Sequence, residues 1–159
     1  MDLETNTAGA AAGGARVDTT QEVTGFCAGT SLMTMDGELP VEHLGAGDRI
    51  ITRDSGMAVL REVRVRDVEL TPIRIKAGSL GHTRPDRDML IAPDALVHIR
   101  DWRAEAMFGA RAAMVPARRL IDGEFISPAA RTTARVYDLV FDRQHVLYAD
   151  GLEVASAAV

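Results

Sequence analysis

A chain of 159 residues, 47% hydrophobic and 26% charged, holds enough material for one folded domain with its own apolar core. A net charge of -5 and a pI near 5.3 set the average surface potential against nucleic-acid phosphates, and the longest stretches rich in apolar residues, such as Val136 to Val140 around Asp138, are far too short to cross a bilayer. The single cysteine, Cys27, excludes an internal disulfide framework, so the fold needs no oxidising compartment.

Residues 1–24 are rich in Ala, Gly and Thr and carry no periodicity, so burial cannot offset their ordering entropy and a flexible leader is expected. With Asp2 and Glu4 and no leucine-rich run, this leader does not read as a secretion signal, and synthesis in the cytoplasm is the expectation. From Gly25 onward, short apolar runs alternate with Gly, Asp and Pro, which is the pattern of strands and turns. The expected strands are Ser31–Met35, Arg49–Thr52, an alternating run through Val59, Arg61, Val63 and Val65, then Ile73 with Ile75, Met89–Ile91, Leu96–Ile99, Arg135–Phe141 and Val146–Tyr148. In the alternating run, Arg64 and Arg66 fall on the solvent parity, as do Arg74 and Lys76 after it. Turns are expected at Asp36–Gly37, Asp54–Ser55–Gly56 and Asp150–Gly151. Only Arg103–Ala113 and the short stretches after Pro40 and Pro116 look helical, and Trp102 reads as a packing anchor. The balance is all-β.

One pattern occurs twice. Pro40, Leu44, Gly47, Asp48 and Ile50 are echoed 76 residues later by Pro116, Leu120, Gly123, Glu124 and Ile126. Each copy has a proline to start a turn, a leucine to bury one turn on and a glycine to stop it before a strand, which suggests a pseudo-symmetric fold.

The segment Phe26-Cys27-Ala28-Gly29-Thr30-Ser31-Leu32, followed by Asp36-Gly37-Glu38-Leu39-Pro40-Val41-Glu42 and by Leu44, Gly47, Asp48 and Ile50, resembles the opening block of a Hint domain, the fold of Hedgehog autoprocessing domains and inteins. Val136-Tyr137-Asp138-Leu139-Val140 with His145 and Ala149-Asp150-Gly151 resembles its closing block. The resemblance implies a Hint-type pseudo-symmetric β fold over residues 25–155, with 156–159 as a C-terminal tail. It also implies an N-to-S acyl shift, in which Cys27 attacks the Phe26 carbonyl and turns the Phe26–Cys27 peptide bond into a thioester. Asp138 would then assist thiol activation and His145 would shuttle a proton. The substrate would be the chain's own leader, and an unknown nucleophile or protein partner would resolve the thioester.

Two departures weaken that expectation. Ala95 stands where the family's middle block usually carries a proton-donating histidine, and His98, three residues along a strand, faces the other way. The histidine and asparagine pair that would end a splicing domain is replaced by Ala155 and Ser156, so full splicing is not expected. The alternatives are therefore slow autoprocessing, a degenerate Hint domain serving as a binding or scaffolding module, or an unrelated small β-barrel that binds a ligand. His43 and His82 lack any metal-ligand spacing with Cys27, and no metal, cofactor, nucleic-acid or membrane partner is expected.

Overall fold

The computed structural model describes residues 22–158. The strands, in chain order, are β1 (Phe26–Cys27), β2 (Ser31–Thr34), β3 (Gly37–Pro40), β4 (Arg49–Thr52), β5 (Gly56–Val59), β6 (Glu62–Leu70), β7 (Ile73–Ile75), β8 (Met89–Ile91) and β9 (Leu96–Ile99). After helix α1 (Trp102–Phe108) come β10 (Ala113–Pro116), β11 (Ile126–Pro128), β12 (Thr132–Phe141), β13 (Val146–Ala149), β14 (Leu152–Ala155) and β15 (Ala157–Ala158). The fold is mostly β, as the alternation of apolar residues and turns predicts.

The largest sheet runs β10-β9-β14-β13-β2-β4-β5, with β3 paired to β2. A second sheet orders β11-β7-β8. The third is organised by β12, which pairs with the whole length of β6 in one unbroken antiparallel register, from Thr132 opposite Leu70 to Val140 opposite Glu62. On its other side β12 receives β1 at Val136 and Tyr137, then β15 in parallel at Val140 and Phe141. One strand thus holds both the first and the last strand of the described chain. Residues 156–159, expected to be a tail, contribute β15 up to Ala158. At the other end, Val23 accepts a hydrogen bond from the Asp94 backbone and donates one to the Asp94 carboxylate, so order begins before the expected boundary at 25. The first 21 residues of the expected leader lie outside the described residues.

The proline echo is realised in space. β3 and β10 each end in a proline that caps a 3-10 turn, Val41–His43 in one case and Ala117–Leu120 in the other. The leucines Leu44 and Leu120 are buried, and Gly47 and Gly123 take φ of +94° and +81°, a region closed to most side chains. Ile50 and Ile126 then enter β4 and β11 fully buried. Both copies start in the largest sheet, at β3 and β10, but the first ends there in β4 and the second ends in β11 of the second sheet, and each seals one part of a shared core.

Three expectations need correction. Helix α1 stops at Phe108 rather than Ala113, because Gly109 takes the left-handed C-cap and its N–H closes on Ala104 and Glu105. Trp102 is 68% exposed, with the Arg103 guanidinium over its ring, and is no core anchor. Val59 and Val65 are about half exposed, whereas Arg66 is half-buried and Val68 and Leu70 pack inward. The ladder has no bulge, so the inward face changes along β6 because different neighbours cover its two ends.

Candidate functional site

Where β12 gathers β1 and β15, the surface dips into a cavity of about 170 Å³ lined by Thr24, Gly25, Phe26, Ala95, Asp138, Gln144 and Ser156 among others. Every expected family block reaches this cavity through at least one residue. The register explains why: Phe26 pairs with Tyr137, which brings Gly25 up against Asp138. A Cβ at Gly25 would stand 2.9 Å from Asp138 Oδ1 and 3.1 Å from the Tyr137 carbonyl oxygen, and its φ of +102° excludes most side chains.

Asp138 is held from β6. The Arg66 Nε donates to Asp138 Oδ2 at 3.2 Å, and Arg66 Nη2 donates to the Thr24 carbonyl oxygen at 3.3 Å. One guanidinium therefore orients the acid and polarises a peptide carbonyl at once. Sequence parity assigns Arg66 to solvent. Only the β6–β12 register reveals its role, and no local signal marks it.

The three sequence-derived candidates part company here. Asp138 lines the cavity. Cys27 lies opposite Val136, two residues down the ladder from the Asp138 level, and is not among the lining residues. It is buried, and burial pushes its thiol up from the ordinary 9.0 to about 11. His145 follows Gln144 but turns its ring away to Asp54, with Nδ1 3.1 Å from Asp54 Oδ2 and the ring edge-on to Phe141 at 5.4 Å. Its backbone N–H donates to the Ser156 hydroxyl. Burial works against the Asp54 charge, but the backbone N–H of Val146 and the His145 ring outweigh it and hold that carboxyl below its ordinary range. His145 thus fastens the turn between β4 and β5 to the end of the domain.

Ala95 forms one wall of the cavity, almost fully buried, and offers no proton donor. His98 is turned elsewhere, 2.7 Å from Glu153, which matches the expected reversal of facing along β9. Among the described residues no three His, Cys, Asp or Glu side chains converge as metal ligands would. No helix among them is long and apolar enough to cross a membrane.

The family model of the Hint domain matches residues 24–158. The chain belongs to the Hint domain family. Solved structures agree on the fold. A bacterial intein-like domain from Clostridium thermocellum superposes with a TM-score of 0.57 at 17% identity, covering 86% of this chain and 99% of that one. The MchDnaB-1 intein gives 0.53 at 11% identity, over 83% and 98% of the two chains. The Ssp DnaB mini-intein variant M86 gives 0.50 at 14%, over 86% and 96%. No curated protein matches the sequence. In this Hint domain the family match begins at Thr24, and Thr24, Gly25 and Phe26 are the residues that the cavity receives from that end.

Proposed function

We propose that this chain is a Hint domain that seats its N-terminal junction in the cavity without cutting it, and so acts as a binding or scaffolding module. The observation that carries this reading is Gly25. An acyl shift needs a nucleophilic side chain on the residue that follows the attacked carbonyl, because the five-membered ring supplies the effective concentration. The carbonyl polarised by Arg66 beside Asp138 belongs to Thr24, and the next residue has no side chain.

Cys27 is poorly suited to replace it. With its thiol near 11, about one molecule in a thousand is thiolate at pH 8, against roughly a tenth for an ordinary thiol. Ala95 leaves the departing amine without a donor, and loss of one general acid costs about 10²–10⁴-fold in rate. A second reading, slow thioester formation at Phe26–Cys27, draws support from the way β1 pins that dipeptide against Val136 and Tyr137.

Intact-mass measurement of the full chain over days at pH 8, with and without a strong thiol, separates the two. The wild type and Cys27→Ala should both stay whole. A thiol-dependent fragment beginning at Cys27, present in the wild type and absent from Cys27→Ala, would overturn the first reading and establish the second.

A further inference from the structure

Away from the cavity, the β14 carboxylate of Glu153 is buried at 5% side-chain exposure and is surrounded by four basic side chains from three separate segments. Arg100 is bidentate, with Nε 3.2 Å from Oε1 and Nη2 2.8 Å from Oε2. The Arg53 Nε approaches Oε1 at 3.1 Å, His98 Nδ1 at 2.7 Å, and Arg84 Nη1 stands 3.8 Å from Oε2. Neighbouring acids are committed elsewhere: Asp54 to His145 and Arg143, Asp150 to Arg87, and Asp101 to Arg103. Among the described residues, Glu153 is the one carboxylate within 4 Å of the guanidiniums of Arg53, Arg84 and Arg100.

Three permanent positive charges thus meet one negative charge, leaving a surplus of two. Arginine is not deprotonated in proteins, so the surplus cannot be relieved by losing a proton. Arg84 Nη1 is buried and makes no hydrogen bond, a donor group removed from water without an acceptor. The heads of Arg53 and Arg100 keep about 40% of their side chains exposed, so the cluster is open on one side.

We propose that Arg53, Arg84 and Arg100 form a binding site for a doubly charged phosphate-type oxyanion, with Glu153 as the internal strut that holds the three guanidiniums together. A dianion balances the surplus, and its tetrahedral oxygens suit several forked donors at once. Glu153 takes the Nε and Nη2 of Arg100 and the Nε of Arg53, which leaves Arg100 Nη1 and the terminal nitrogens of Arg53 as donors on the open side and the unpartnered Arg84 Nη1 as a donor beneath them.

The test uses the full chain with inorganic phosphate as the probe, at ionic strength held constant with chloride, and a parallel titration with sulfate. Arginine Nε–Hε resonances are followed by NMR. Saturable shifts confined to the three side chains, with a midpoint at or below a few millimolar, are expected. In Arg84→Gln the affinity should fall at least about tenfold, since a charge-assisted fork is lost. Glu153→Gln, which keeps the strut's shape and drops its charge, should bind phosphate more tightly. Equal phosphate and sulfate affinity would mark a general oxyanion site, within the proposal. A linear, non-saturating response matching chloride, or unchanged affinity in a folded Arg84→Gln, overturns it.

Discussion

Asp138 and Glu153 are both partly or wholly buried acids answered by arginine, yet they are held in opposite ways. Asp138 accepts from one guanidinium and turns its other oxygen toward Gly25, so it keeps free acceptor capacity beside a cavity. Glu153 is enclosed by three arginines and a histidine, and these hydrogen bonds and charges outweigh the burial that would raise it, holding the carboxyl below its ordinary range. An acid with free acceptor capacity is what chemistry needs, and a saturated one is what a joint between elements needs. This domain has kept the first, and under the proposed function it stands beside Gly25, which brings no side chain.

Breaking the joint should produce the largest effect. Glu153→Ala leaves three guanidiniums and His98 without a counter-charge, and should lower the unfolding free energy by about 3 kcal/mol in urea titration. Asp138→Ala should cost about 1 kcal/mol, since Arg66 can turn to water. Equal losses from the two variants would dissolve the contrast.

A second measurement concerns the thiol excluded from both regions. Cys27 stays protonated in the fold up to about pH 11, whereas an unfolded thiol ionises near 9.0. The unfolded state therefore binds fewer protons between those values, so stability falls as pH rises through that window. The wild type should lose up to about 2–3 kcal/mol there relative to Cys27→Ala, an order-of-magnitude figure from two pH units. Parallel stability curves for the two proteins from pH 8 to 11 would show the thiol to be as accessible as a catalytic one.

Supplying the missing parts sharpens the case for the cavity. In a Gly25→Cys variant shown to be folded, where the backbone has left its φ of +102° and drawn back from the Tyr137 carbonyl oxygen and the Asp138 carboxylate, thiol-dependent release of residues 1–24 should become detectable by mass. Adding Ala95→His should raise that rate at least about tenfold, the lower end of what a placed general acid gives. Release that begins at Cys27 instead would return the site to Phe26–Cys27. The smallest effect belongs to a residue outside both regions: Trp102→Ala should change stability by less than about 0.5 kcal/mol, and Trp102 fluorescence should sit at the wavelength of a solvated indole. A blue-shifted emission would restore the packing role expected from sequence.

The strands at Arg49–Thr52, Met89–Ile91 and Leu96–Ile99 are legible to the residue, because Gly, Pro or Asp closes each apolar run nearby. β3 and β10 are not, since each ends in the proline that starts the next turn and carries too few alternating residues to register as a strand. Of the site, Asp138 and the vacancy at Ala95 are visible in the sequence. The roles of Gly25 and Arg66 are not, because they follow from which residue of β1 and of β6 stands against which residue of β12. Cys27 attracts attention as the chain's only thiol, and composition cannot say which way a two-residue strand presents it. The Glu153 cluster draws on Arg53, Arg84, His98 and Arg100, separated by up to a hundred residues, and no local pattern could announce it.

The shared edge of β12 has a further consequence. Phe26 stands opposite Tyr137 and Ala157 opposite Val140, three residues along one strand, or about 10 Å. The two ends of the described fold are therefore side by side, and a loop that joined them would be short, because closing so small a gap costs little entropy. By the same geometry, a circular permutant that joins the two ends through a short glycine linker and opens at the Asp54–Gly56 turn should keep the β6–β12 ladder intact.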